Sequence, residues 1–484
     1  MKYTSLSNFI KGTYGYSNGE YLDVFSPLNG EVISQVPLSS AAVVDEAVTG
    51  AMQAFPAWSE LPIKERVQVF YRYRNLLEKY FEELAALISE ENGKTLDESR
   101  AEVSVSIEMV EFATSLPQLC IGEIEEVSRG VECRSTRYPI GVVASITPFN
   151  FPNMVPNWTI PNAITLGNTM ILKPSEQVPL SSNRITELLT EAGLPEGVLN
   201  IVHGGREAVE AICDHPGIDA VSFVGSTKVA KIVYQRAAAS FKRALCLGGA
   251  KNHLIVLPDA NEEMTASNVA ASMAGCAGQR CMAASAMVAV GEVDSIIDRL
   301  CEEAKKIIPG KNLGAIISTQ AKERIEGYIT EAVAEGARIL VDGRNIRVKG
   351  SEGGYYIGPT IIDQVTPDMK IAKEEVFGPV LAIMRVSTVD EALQIENSSV
   401  YGNAASVFTQ SGSLANYVAE RVSAGMIGVN IGVPVPREPF SFGGWNESKF
   451  GSGDITGKSS IEFWTKLKKT TTKWNPEART NWMS

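Results

Sequence analysis

The sequence predicts an α/β protein built on parallel sheets, and three observations carry that prediction. Across residues 141–256 short apolar runs alternate with segments of helical periodicity, the pattern that a parallel sheet wrapped by helices produces. The alternation breaks and resumes after Asp259, which points to a second α/β unit. At 484 residues, 44% of them hydrophobic, the chain exceeds one ordinary core and divides into two or three domains.

Taken in order, residues 21–36 mix Asn, Gly and Pro with short β-branched runs and read as hairpin strands. Apolar residues at three- and four-residue spacing then predict helices over 39–55, 64–91 and 98–116, with Asn92-Gly93 as a stop. Strand character returns over 123–137, where Val127, Val131 and Cys133 alternate with polar neighbours. It appears again over 467–474, where consecutive threonines lie among lysines. Such ribbons need a partner edge, although a solvated edge guarded by lysines accounts for the second equally well.

The parallel set comprises strands at 141–146, 169–172, 198–202, 220–224, 243–247 and 254–257. Helices lie between them at 156–166, 181–192, 207–214 and 227–236. Sheets of this kind bind ligands at the carboxyl ends of their strands. Beyond Asp259 come a helix over 261–275, a cysteine-bearing loop, a strand near 286–290, and helices over 293–308 and 320–335. Residues 425–457 are rich in Gly and Pro, yet Ile427, Val429 and Phe442 make them an ordered loop rather than a linker.

With 44 Lys+Arg against 56 Asp+Glu the formal charge is -12, which disfavours non-specific nucleic-acid binding. The seven cysteines form no secreted framework and no Cys-x-x-Cys pair, so the cytoplasm is the expected compartment. The three histidines lack metal-ligand spacing, and no metal is expected. Neither a signal peptide nor a membrane span is legible.

The stretch Gly275-Cys276-Ala277-Gly278-Gln279-Arg280-Cys281-Met282-Ala283 places a cysteine among small residues with an arginine before it. A cation beside the sulfur lowers a thiol pKa, so Cys281 is expected to ionise readily and act as a nucleophile. The plainer reading is a small buried hydrophobe. No Gly-x-Gly-x-x-Gly fingerprint follows a strand, and Gly451-Ser452-Gly453 reads as a turn. Phe223-Val224-Gly225-Ser226-Thr227 instead sits where a strand becomes a helix. That position suits a pyrophosphate, although Gly-Ser-Thr is also a common cap.

The run Gly278-Gln279-Arg280-Cys281-Met282-Ala283 resembles the cysteine motif of the aldehyde dehydrogenase superfamily, in the form found in methylmalonate-semialdehyde dehydrogenases. The similarity extends over about residues 21–469. It implies an aldehyde dehydrogenase-like fold. Residues 1–121 and 139–249 would form a Rossmann-type NAD-binding domain, 250–464 a catalytic domain, and 122–138 with 465–484 strands joining across a subunit interface. A homodimer or homotetramer follows.

The resemblance also distributes roles. Cys281 becomes the nucleophile toward a small-molecule aldehyde, with the Asn150 amide and the Cys281 backbone N–H as oxyanion donors. Thr147 and Phe149 line the cofactor, Gln177 and Gly248 lie toward its adenosine and nicotinamide ends, and Gly225 and Ser226 meet the pyrophosphate. Lys173 and Glu176 hold the adenosine ribose, and the Glu176 carboxylate favours NAD over NADP because it would repel a 2'-phosphate. Glu375 holds the nicotinamide ribose, with Phe377 in the same segment.

Hydrolytic members carry a glutamate base where this chain has Cys246, in Leu245-Cys246-Leu247-Gly248-Gly249-Ala250-Lys251-Asn252-His253, and a second glutamate is replaced near Ile455. A thiol is a poor base for water, so the resemblance implies acyl transfer to coenzyme A. Of two arginines that grip a substrate carboxylate, Arg280 is present and Val105 stands in place of the other. Arg437 either supplies the second cation for an anionic semialdehyde or pairs elsewhere. A hydrolytic aldehyde dehydrogenase and a non-catalytic scaffold remain the alternatives.

Overall fold

The computed structural model describes residues 1–15 and 19–474. Residues 16–18 and 475–484, inside the expected spans 1–121 and 465–484, lie outside the described residues. Among the described residues, an eight-stranded sheet and a seven-stranded sheet form two α/β layers, and a three-stranded ribbon stands apart from both.

The centre of the eight-stranded sheet is parallel. Its strands Leu199–Ile201, Thr169–Lys173, Val142–Ile146, Ala220–Val224 and Arg243–Leu247 lie side by side in that order. Strand order therefore reverses between Val142–Ile146 and Ala220–Val224, the topological position where such sheets open a crevice. All five strands fall within a residue of the predicted bounds, because each is a largely apolar run with most of its residues buried. The second sheet pairs His253–Val256 with Ala286–Val290 and Ala404–Phe408, all parallel.

Three expectations change. The helix predicted over 64–91 is two helices, Ile63–Lys79 and Phe81–Asn92, broken at Tyr80. Glu82 and Glu83 occupy the first turn of the second helix, where the helix dipole favours acidic side chains. The loop predicted over 425–457 contains strand Met426–Val429, which extends the seven-stranded sheet beside Ala404–Phe408. It also contains Lys449–Phe450, which pairs antiparallel with Arg243–Leu247 and sets Phe450 opposite Cys246.

The third change concerns the ribbon. Strands Val131–Pro139 and Thr465–Lys473, expected to join across a subunit interface, pair with each other within one chain, from Thr465 opposite Pro139 to Lys473 opposite Val131. The C-terminal strand is tethered at its root. Arg243 Nη1 donates to the carbonyls of Glu462, Phe463 and Thr465, and Asn168 Nδ2 donates to that of Trp464. The outer strand Ile124–Ser128 is exposed throughout. Among the described residues no helix is long and apolar enough to cross a membrane.

Candidate active site

A cavity of about 1110 Å³ opens at the carboxyl ends of the parallel strands. Each strand of the crevice delivers the residues that follow it. Thr147, Phe149 and Asn150 come after Val142–Ile146, Lys173 and Glu176 close Thr169–Lys173, Gly225 and Ser226 come after Ala220–Val224, and Gly248 comes after Arg243–Leu247. The opposite wall is built from Arg280, Cys281, Glu375, Phe377 and Arg437. The fold thus gathers every candidate residue into one cavity except Gln177. That side chain is exposed and absent from the lining, because the turn after Lys173 directs it outward.

At the sheet end, Lys173 and Glu176 pair at 3.0 Å. Ser226 is the N-cap of helix Thr227–Ala239 but its side chain makes no capping bond, which leaves the helix N-terminus facing the cavity with donors to spare. Glu375 Oε1 accepts from the Ala250 N–H at 3.0 Å. Burial pushes the Glu375 carboxyl up to about 7, and neighbouring Lys251 pulls against that rise. Lys251 is itself 3% exposed, and burial lowers its ammonium to about 8. Phe149 and Phe377 meet edge to face at 5.8 Å.

The nucleophile loop leaves helix Glu262–Ala274 through a tight 3-10 turn in which Cys276 and Ala277 take left-handed conformations. Gly278 follows at φ 68°, and a Cβ there would lie 2.0 Å from the Gly378 carbonyl, so only glycine lets the two segments touch. Arg280 favours the Cys281 thiolate but does not dominate it. Its Nη2 donates to the carbonyls of Ala271 at 3.2 Å and Ser272 at 3.1 Å. Burial, reinforced by the Glu375 charge, outweighs Arg280 and pushes the Cys281 thiol up to about 12. Arg280 Nε is buried without a partner among the described residues.

Asn150 is 7% exposed, and its loop is braced from below. Asn92 Nδ2 donates to the Phe149 carbonyl at 2.8 Å, Lys94 Nζ donates to the Asn150 carbonyl, and Glu102 accepts from the Asn153 and Met154 N–H groups. Asn92, Lys94 and Glu102 escape sequence reasoning because they lie some fifty positions away and carry no motif of their own. Asn252 and Asn403 also escape it, although both donate to the Cys281 carbonyl. The one sequence signal for either is the Ala-Lys-Asn-His run that contains Asn252.

Cys246 does not reach this cavity. It is fully buried between its register partners Phe223 and Phe450 on the two flanking strands, and burial pushes its thiol upward. Val105 does line the cavity. Arg437 lines the mouth but pairs with Glu108 at 2.5 Å, one helical turn beyond Val105, rather than with Glu438. Burial raises Glu438, also in the lining, to about 7.

Comparison with known proteins agrees with this architecture. The model for the aldehyde dehydrogenase family matches residues 14–470. Malonate-semialdehyde dehydrogenase 1 of Geobacillus kaustophilus is 45% identical over 480 residues, covering 98% of both chains. Among solved structures, methylmalonate-semialdehyde dehydrogenase from Oceanimonas doudoroffii superposes with a TM-score of 0.96 at 41% identity, covering 98% of this chain and 99% of that one. A Sinorhizobium meliloti protein complexed with NAD gives the same TM-score, identity and coverage.

Proposed function

The chain belongs to the aldehyde dehydrogenase family, and from that premise we propose that it oxidises a small anionic semialdehyde, of the malonate or methylmalonate kind, with NAD and transfers the acyl group to coenzyme A. Cys281 attacks the aldehyde carbon, and the oxygen that becomes anionic is met by the Asn150 amide and the Cys281 backbone N–H. When bound, NAD supplies the hydride acceptor. The acyl group is left as a thioester on Cys281 and passes to the thiol of coenzyme A.

The cavity fits such a cofactor. The uncapped N-terminus behind Ser226, together with Gly225 and Gly248, suits a pyrophosphate, while Glu176 and Glu375 offer carboxylates to ribose hydroxyls. Arg280 Nε, buried and unpartnered among the described residues, supports an anionic substrate tail.

One observation carries the choice of coenzyme A over water. Cys246 packs in the core beside Phe450 instead of lining the cavity, so the position that would hold a base presents nothing to a water molecule. A hydrolytic reading draws its support from Glu438, a carboxyl near neutrality in the same lining.

The test is NADH formation from malonate semialdehyde, methylmalonate semialdehyde and propanal, each with and without coenzyme A. Steady turnover confined to the arms with coenzyme A is expected, with the semialdehydes preferred. Equal turnover without it would overturn acyl transfer in favour of hydrolysis, and NAD binding with no reduction by any aldehyde would leave a scaffold.

The same reading takes residues 1–121 and 139–249 as the NAD-binding domain, 250–464 as the catalytic domain, and the ribbon as an oligomerisation arm in a cytoplasmic homodimer or homotetramer. The fully exposed strand Ile124–Ser128 supports the arm, since an open edge seeks another strand.

A further inference from the structure

Two buried side-chain amides converge on a single oxygen at the root of the site. Asn252 Nδ2 donates to the Cys281 carbonyl at 2.7 Å and Asn403 Nδ2 donates to it at 2.9 Å, with the two residues 1% and 6% exposed. They come from distant parts of the chain. Asn252 precedes strand His253–Val256, and Asn403 precedes strand Ala404–Phe408, which lies beside it. Asn252 also donates to the Ala283 carbonyl at 2.8 Å and accepts from the Ala404 N–H at 3.2 Å, while Asn403 reaches Met282 Sδ at 3.1 Å.

A carbonyl oxygen has two lone pairs, and here both are occupied by donors fixed on neighbouring strands. The Cys281 carbonyl belongs to the same planar unit as the Met282 N–H, so holding the oxygen fixes the direction of that N–H. The backbone N–H groups of Cys281 and Met282 both favour the thiolate, opposing the rise that burial imposes. Donors on the oxygen also polarise the peptide and make its N–H a stronger donor.

We propose that Asn252 and Asn403 are positioning residues for the nucleophile, an amide clamp that locks the Cys281–Met282 peptide with its N–H toward the sulfur. The need for such a device follows from what surrounds that sulfur. Burial and the Glu375 carboxylate oppose the thiolate, and Arg280, the charged side chain that favours it, is engaged with the Ala271 and Ser272 carbonyls. Two backbone donors, the Cys281 and Met282 N–H groups, stand with Arg280 in favouring the anion, and the clamp aims the second of them. The inference rests on reading Cys281 as the nucleophile.

The test is the pH dependence of iodoacetamide alkylation at Cys281, located by peptide mass, on the full chain with and without NAD. Asn252→Ala and Asn403→Ala are each expected to move the alkylation midpoint to higher pH. Labelling below the midpoint should slow about tenfold for every pH unit that the midpoint moves. The KM for NAD should stay unchanged, and Asn403→Ser, which keeps a donor, should recover part of the loss. A purely structural role would lower the melting temperature and leave the midpoint in place, and an unchanged midpoint in both variants overturns the clamp. Should Asn252→Ala not fold, Asn403→Ala decides by the same readout. Wild-type enzyme alkylated at Cys281 must also lose NADH formation. Persistence of that activity would overturn the nucleophile reading itself, separately from the clamp.

Discussion

Lys94 and Glu102 form an ion pair 2.5 Å long in the interior, with side chains 2% and 0% exposed, under the loop that carries Asn150. Lys94 also donates to the Asn150 carbonyl and lies 3.8 Å over the Phe151 ring, while Glu102 caps the N–H groups that open helix Met154–Thr165. The pair thus holds both sides of the loop. Lys94→Met leaves Glu102 charged and alone, and should cost about 3–5 kcal/mol in urea unfolding. The double variant Lys94→Met with Glu102→Leu should recover only part of that stability, because the Asn153 and Met154 N–H groups then lose their acceptor, and should not recover turnover, since Asn150 would still lack its brace.

Asn150→Ala removes the side-chain donor proposed for the oxyanion. Turnover should fall by about two to three orders of magnitude with NAD affinity unchanged. Titration of the variant with NAD, followed by protein fluorescence, separates this outcome from a collapsed cavity, in which affinity would fall as well.

Cys246→Ala should leave coenzyme A-dependent turnover within about twofold of wild type, because a thiol buried beside Phe450 and away from the cavity takes no part in the chemistry. A large loss of steady-state rate would show that the position matters after all.

Cofactor binding should depend on pH through Glu375. Its carboxyl, raised from 4.5 to about 7 by burial, is the acceptor proposed for ribose hydroxyls and works best ionised. The KM for NAD should therefore rise as pH falls through about 7, and Glu375→Gln should flatten that dependence. Stability moves the other way. A carboxyl whose folded pKa is raised contributes stability below its unfolded value, and that contribution is lost as pH rises through about 7. Comparing urea midpoints of wild type and Glu375→Gln across that range isolates the effect.

Much of the scaffold is legible in the residue pattern. Strands Ala220–Val224, Arg243–Leu247 and Ala286–Val290 fall where the apolar runs place them, since a strand buried on both faces is apolar along most of its length. The break at Tyr80 is not legible, because the helical spacing continues across it and only the acidic pair Glu82 and Glu83 marks a new N-terminus.

For the site, the sequence alone determined the chemical inventory: a cysteine in a small-residue loop, an asparagine after a buried strand, a glycine and serine at a helix start, and carboxylates at two further turns. Those signals are local, written in residue type and spacing. What the tertiary structure decided is how they balance. Arg280 lies next to Cys281 in sequence and favours its thiolate, yet Nη2 is held by backbone carbonyls and burial outweighs the charge. Gln177 turns outward, Cys246 turns into the core, and Asn252, Asn403, Lys94 and Glu102 arrive from distant segments to hold the nucleophile and its loop. Electrostatics in a low-dielectric interior depends on distance and solvent exclusion, and neither is a property of neighbours along the chain.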